Sequence, residues 1–166
     1  FWHSLEHIPF SKINDILKMI SRYAEKDVRI LVSVPNADAL IYQMFGKKFA
    51  YCDRASHVHQ FSVQSLDLLF AKYNFSKEKT FFSFSYSFFG YLQTLVNLGN
   101  VTDNFLYFFL KRNREFGKNR TKIFLLFIYN VLLSGIMFLP ALVGVCYDLV
   151  YKKKANVLTV CYQLKV

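Results

Sequence analysis

The sequence predicts an α/β fold: an incomplete doubly wound sheet with an apolar helical membrane hairpin inserted before the last strand. Three observations support this fold class. Helix and strand patterns alternate along residues 1–87, a stretch of 25 residues without formal charge lies at 123–147, and a strand-like tail follows. We therefore divide the chain into half of a sheet domain at 1–87, a membrane-associated helical insertion at 88–151, and a final strand at 152–166 that returns to the sheet.

The first elements follow from the spacing of apolar residues. Between Ile13 and Ala24 they recur at the spacing of an amphipathic helix, and the apolar run 29–34 predicts a strand buried on both faces. Ser62 predicts the N-cap of a second helix, and the looser alternation of residues 75–86 predicts a half-exposed strand. This order of elements is typical of the second half of a doubly wound sheet.

Ligands of such a sheet bind in the crevice outside the carboxyl ends of its strands. The segments expected to line that crevice are 1–9 and 35–61. Each of them carries two histidines, which makes both segments candidates for binding or catalysis.

The uncharged stretch 123–147 predicts a membrane-bound segment. Its length suffices for one crossing, because a spanning helix needs roughly 20 apolar residues. However, Gly135 and Pro140 lie near its middle, where a proline kinks or breaks a helix. Basic residues also flank both ends, at 111–122 and 152–154, whereas the positive-inside rule predicts one basic side.

The tail favours a hairpin over a single span. If residues 157–165 pair antiparallel with the 75–86 strand, both ends of the apolar stretch lie on one side of the membrane. Two arms of about 12 residues, about 18 Å each, are too short to cross about 30 Å of hydrocarbon. We expect a re-entrant or monotopic hairpin bent at 135–140, with residues 88–110 beside it in the interface. One tilted transmembrane helix is the alternative.

The net charge of +10 is concentrated beside this apolar stretch. Basic clusters at that position predict an anionic membrane surface as partner, with the domain half on the cytoplasmic side. No nucleic-acid partner is expected, because the sequence shows neither zinc-finger spacing nor basic residues interleaved with aromatic ones on strands. The three cysteines form no CxxC pair, which argues against a disulfide framework or a cysteine-built zinc site.

Residues 1–9, Phe-Trp-His-Ser-Leu-Glu-His-Ile-Pro, place two histidines, one carboxylate and two aromatic side chains in a short loop. Such a composition is typical of a domain interior, and we expect these residues to continue an earlier part of a longer protein. His3, Glu6 and His7 match the HxxEH pattern of inverted zinc peptidases. That motif requires a helix, whereas Pro9 closes this segment two residues later, which argues against a peptidase.

The same nine residues resemble the loop after the fourth strand of class I S-adenosylmethionine-dependent methyltransferases, in particular those of type 11 and type 23. Residues 29–36 resemble the fifth strand of that family with its Val-Pro-Asn end. Residues 53–62 are similar to the family string Asp-x-Pro-Arg-His-Leu-Tyr-His-Phe-Thr. Departures from that string include Ala55 and Ser56 in place of Pro-Arg and Gln60 in place of His. The resemblance implies a Rossmann-like methyltransferase sheet.

The resemblance also implies a function. The aromatic insertion is similar to that of a membrane-associated subgroup, which implies methylation of a hydroxyl on a small-molecule or lipid-linked sugar acceptor. The family holds S-adenosylmethionine with a Gly-rich turn and an acidic residue after it, whereas the six glycines here are scattered. We expect this chain to be a fragment that neither binds the cofactor usefully nor turns over alone. A non-catalytic membrane-anchoring module with a methyltransferase-like remnant is the alternative.

Residue roles follow from the resemblance. Phe1, Trp2 and His3 would lie against the methionine end of the cofactor. An imidazole titrates near neutral pH and can take a proton from an acceptor hydroxyl. His57 is the favoured general base because it matches the family position, and His59 and His7 are further catalytic candidates.

A divalent metal is a further expectation that the resemblance implies. In small-RNA 2′-O-methyltransferases and ubiquinone-pathway O-methyltransferases, a Glu-x-x-Glu-His string and a later His can hold such an ion. The corresponding set here is His3, Glu6, His7 and His57, whose histidines favour a zinc-like ion over magnesium. The alternative is structural: His7 donates to backbone and Glu6 caps the helix after Pro9.

Overall fold

The computed structural model describes residues 1–25, 27–52, 56–111 and 119–165. Its longer elements, in chain order, are α1 Phe10–Tyr23, β1 Arg29–Pro35, α2 Leu40–Phe45, α3 Val63–Ala71, β2 Phe75–Phe81, α4 Phe84–Leu98, α5 Phe105–Lys111, α6 Arg120–Val150 and β3 Val157–Leu164. Short 3₁₀ turns lie at Leu5–His7, Gly46–Lys48 and Lys152–Lys154.

The three strands form one sheet in the order β1–β3–β2. β3 is antiparallel to both neighbours, so β1 and β2 run in the same direction, and the expected pairing of the tail with the 75–81 strand is observed. Residues 1–3 add a short parallel edge to β1, because the backbone N–H of His3 donates to the carbonyl of Ser33 at 2.8 Å. The fold is therefore mixed α/β, and the doubly wound sheet of the sequence prediction is present only in part.

The domain core lies between this sheet and helices α1 and α3. Ile13 and Leu17 of α1 are fully buried in it, which accounts for the apolar spacing of that helix. The ring of Phe70 in α3 stacks on Tyr162 of β3, with centroids 4.1 Å apart. Ser62 caps α3 by accepting from the backbone N–H of Ser65, as the sequence predicts.

The predicted strand at 75–86 is wrong in its second half. β2 ends at Phe81, and Ser83 caps α4 instead, accepting from the backbone N–H of Tyr86. The alternation of serine and aromatic residues that predicts a strand also places Ser87 and Tyr91 one helical turn apart. Both of these side chains contact Asp148 of α6, and that distant contact favours the helix.

The predicted bend of the apolar stretch is also wrong. α6 is one helix of 31 residues that continues through Gly135 and Pro140. Buried residues lie before and after the proline, Asn130 on one side and Ala141 and Val145 on the other. By length and composition α6 could cross a membrane, and its most apolar part is almost entirely unburied.

A helical hairpin exists nevertheless, formed by α4 and α6. At one end Asn100 and Asn130 exchange amide hydrogen bonds, one of them 2.6 Å long. At the other end the hydroxyl of Tyr91 donates to the carboxylate of Asp148 at 3.0 Å. α4 is consequently packed between the domain and α6, with about half of its residues buried. The expectation that residues 88–110 lie in the membrane interface stays a prediction.

Two glycines of α6 provide a matched test of this packing. A Cβ at Gly144 would lie 2.3 Å from the ring of Tyr91, whereas a Cβ at Gly135 meets nothing within 4 Å. We expect Gly144→Ala to lower the free energy of unfolding by about 1–3 kcal/mol through overpacking. Gly135→Ala is expected to raise it by up to about 1 kcal/mol through helix propensity. Denaturant unfolding in detergent measures both, and equal effects would contradict the α4–α6 packing.

Candidate functional site

A cleft of about 660 Å³ lies between the domain and the helical insertion. Its domain side consists of the 3₁₀ turn at 5–7, the end of β1, and residues 50–57 as far as they are described. Its other side consists of α4, α5 and the residue before α5. The side chains that line it include His3, Glu6, His7, Tyr51 and His57 on the domain side, and Tyr86, Phe89, Asn104, Tyr107 and Phe108 on the helical side.

The backbone of the 3₁₀ turn brings two distant segments together. Leu5 is fully buried in the domain core and anchors the turn. The carbonyl of Glu6 accepts hydrogen bonds from the backbone N–H groups of Val58 at 2.9 Å and His59 at 3.2 Å. As a result the ring centroids of His7 and His57 lie 4.7 Å apart, although fifty positions separate these residues along the chain.

Glu6 is a buried carboxylate that faces this cleft. Its side chain is 2% exposed, and its Oε1 lies 3.7 Å from Nδ1 of His3. Its Oε2 is buried and has no hydrogen-bond partner among the residues that the structure describes. Burial raises the pKa of the Glu6 carboxyl, but the side chain of His3, the Glu6 backbone and the charge of His57 outweigh burial and hold that pKa below its ordinary value. Glu6 is therefore an anion at neutral pH.

Three groups converge at a position suited to a metal ion. Ligand atoms of Glu6, His7 and His57 all lie within 4.8 Å of one another. Nδ1 of His7 lies 3.0 Å from the carbonyl of Ser56, which can only accept, so His7 donates there and keeps the lone pair of Nε2. The unpartnered oxygen of Glu6 and two imidazoles fit a zinc-like ion. His3, the fourth residue of the expected set, is not part of this group.

The remaining candidates lie in different surroundings. His59 packs against the rings of Phe10 and Phe61, at 5.8 and 5.9 Å, and lines a much smaller neighbouring cavity. Phe1 packs against the domain core, whereas Trp2 is half exposed and donates from Nε1 to the hydroxyl of Tyr86 at 3.0 Å. Of the three residues expected to contact the cofactor, His3 lines the cleft, whereas Phe1 and Trp2 are not among its lining residues.

The aromatic side of the cleft is absent from the sequence prediction. Tyr51 donates from its hydroxyl to the carbonyl of Tyr86 at 2.8 Å, which joins the domain to α4. Burial and the nearby Tyr86 raise the pKa of Tyr51, so this hydroxyl remains a donor. α5 continues the wall: Tyr107 faces the cleft, and the ring of Phe109 lies 5.1 Å from that of Phe127 in α6. The cleft therefore adjoins the apolar helix.

Residues 1–80 match a family model that is described as a methyltransferase domain. No curated protein and no solved structure matches the chain. The matched residues include Glu6, His7 and His57, whereas the aromatic wall formed by α4 and α5 lies outside the match.

Proposed function

We propose that the protein, whose residues 1–80 match a methyltransferase domain, is an S-adenosylmethionine-dependent methyltransferase that acts on a hydroxyl of a sugar or lipid-linked acceptor at a membrane. One observation carries the choice of acceptor. The cleft has the ionisable residues of the matched domain on one side and aromatic side chains next to apolar α6 on the other. An acceptor with a polar reactive end and an apolar part fits both sides at once.

The chain's own residues act on the acceptor hydroxyl. S-adenosylmethionine supplies a methyl group on a sulfonium, and transfer forms a C–O bond while the C–S bond breaks and the hydroxyl releases its proton. His57 accepts that proton, because its imidazole lines the cleft and imidazole is the most common general base of enzymes. The anionic carboxylate of Glu6 stabilises the imidazolium that forms, and His7 is a second basic imidazole beside it.

In the alternative arrangement, Glu6, His7 and His57 hold a divalent metal ion. Such an ion would orient the acceptor hydroxyl and lower its pKa. The two roles of His57 exclude each other at the same nitrogen, so a binding measurement separates them.

If the metal arrangement holds, the purified, metal-free protein binds Zn²⁺ alone in a calorimetric titration. Glu6→Gln is expected to weaken that binding at least about tenfold, because it removes the anionic ligand. His59→Ala serves as the matched control, since His59 lies outside the three-residue group. If the wild-type protein binds no Zn²⁺, or if Glu6→Gln binds it equally well, the metal arrangement is wrong and His57 is left as the base.

The proposed activity is tested with S-adenosylmethionine labelled in its methyl group. The full-length natural protein is incubated with membranes, and the label is followed into organic-soluble lipid-linked sugars and into water-soluble sugars. Label in either fraction supports the proposal. Label in neither fraction contradicts it and favours a membrane-anchoring module without catalysis.

A further inference from the structure

One face of α6 is apolar and exposed along the whole helix. Its side chains share one direction, because they recur three or four positions apart. Six side chains on this face are each more than 60% exposed: Leu125, Leu132, Ile136, Leu139, Val143 and Val150. Soluble monomers rarely expose a continuous apolar surface that runs the length of such a helix. A surface of this kind usually contacts a membrane or another protein.

The opposite face of α6 is attached to the rest of the protein at both ends and in the middle. Near its C-terminus, Asp148 accepts from the backbone N–H of Asn156 at 3.3 Å, directly before β3. In the middle, Ala141 belongs to the same buried cluster as Ile41 of α2. In the first half of the helix, the side-chain amide of Asn130 is hydrogen-bonded to that of Asn100 in the α4–α5 connection.

The rest of the protein is packed along so much of α6 that the helix has no free stretch long enough to cross a bilayer. Residues 130–148 span about 27 Å at 1.5 Å per residue, almost the whole hydrocarbon thickness of about 30 Å. If α6 crossed the bilayer, the domain attached along it would lie at hydrocarbon depth. Beside Asn100, that domain carries the ion pair of Lys48 and Asp103, whose Nζ and Oδ1 lie 2.7 Å apart. Charged groups and loop backbone at that depth are strongly unfavourable.

We propose that α6 lies in the plane of an anionic bilayer surface, with its outer face in the lipid and α4 and the domain on the water side. Both ends of the helix then face headgroups. The exposed basic residues there, Arg120 and Lys122 at one end and Lys152 and Lys153 at the other, match this surface in charge. This orientation follows from the exposed face, the contacts and the flanking charges of α6, and it does not depend on the proposed methyl transfer.

Depth measurement along α6 tests the orientation. Leu125, Ile136 and Val150 lie on the outer face and are replaced by cysteine one at a time, in a variant whose three native cysteines are replaced by alanine. Each cysteine carries a fluorophore, and lipids brominated at known depths quench it in vesicles of phosphatidylcholine and phosphatidylglycerol. An in-plane helix gives one shallow depth at all three positions. A crossing helix places position 136 more than about 10 Å deeper than position 125, which would overturn the proposal.

Vesicle flotation tests the surface itself with two matched leucines. Leu132 of α6 is 65% exposed and Leu68 of α3 is 66% exposed. Leu132→Glu is expected to lower the partition coefficient at least about tenfold, because it places a charge on the lipid-facing side. Leu68→Glu is expected to leave it unchanged, and circular dichroism checks that both variants fold. Equal partitioning of the two variants, or no binding by the wild-type protein, would overturn the proposal. Neither readout requires cofactor or acceptor, so each stands whatever the methyl-transfer assay gives.

Discussion

Replacement of His57 by alanine is expected to lower methyl transfer by the full-length protein about 10²- to 10⁴-fold. This imidazole lines the cleft beside His7 and near the anionic carboxylate of Glu6, and it is the group we propose to receive the hydroxyl proton. The loss should lie in kcat, because proton acceptance contributes in the transition state. Single-turnover kinetics with labelled cofactor measures it.

His59→Ala is the comparison for this experiment. The ring of His59 packs between Phe10 and Phe61 outside the cleft, so its loss should affect stability more than turnover. A variant His59→Ala that is as inactive as His57→Ala, while still folded, would show that the two histidines have been assigned wrongly. Turnover by His57→Ala at the wild-type rate would remove the proposed base altogether.

Replacement of Asp148 by alanine is expected to cost the fold about 3 kcal/mol or more. The carboxylate is fully buried and accepts from the hydroxyls of Ser87 and Tyr91 and from the backbone N–H of Asn156. Its removal leaves these donors buried without their acceptor, at about 1–3 kcal/mol for each unsatisfied group. Denaturant unfolding in detergent measures the loss.

Asp15→Ala is the control, because Asp15 lies exposed on α1 and a surface change of this kind stays within about 0.5 kcal/mol. Asp148→Asn keeps the volume and one acceptor oxygen and should fall between the two. If Asp148→Ala unfolds at the same denaturant concentration as Asp15→Ala, the carboxylate does not hold α6 to α4 and β3.

Elements with a local pattern could be predicted from the sequence. The apolar spacing from Ile13 onward, the run 29–34 and the cap at Ser62 correspond to α1, β1 and the start of α3. Each of these elements buries residues in one common core, so the spacing of apolar residues is enough to predict whether the element is a helix or a strand.

Two elements depend on distant contacts and could not be predicted in this way. Residues 82–86 alternate like a strand, yet the bonds of Ser87 and Tyr91 to Asp148 favour a helix. Pro140 predicts a bend, yet α6 is one continuous helix, with buried residues before and after the proline that pack against α4 and the domain. In both cases tertiary packing outweighs local preference.

The candidate site likewise has one part that could be predicted from the sequence and one part that could not. Glu6, His7 and His57 belong to recognisable strings, and the structure brings their ligand atoms within 4.8 Å. The aromatic wall belongs to no such string, because the contact between Tyr51 and Tyr86 exists only after α4 has packed on the domain.

The position of β3 has a consequence for the order of biosynthesis. This strand is central in the sheet, yet it follows the apolar helix along the chain. A ribosome therefore releases β1 and β2 long before their shared neighbour, and apolar side chains such as Val32 stay uncovered until then. The side chain of Asn36, which directly follows Pro35 of the cleft, likewise donates to the carbonyl of Ala155 and can form this bond only once that later segment exists. Completion of the sheet therefore requires that α6 has already been synthesised, so a nascent chain can form its cleft only after the apolar helix has left the ribosome.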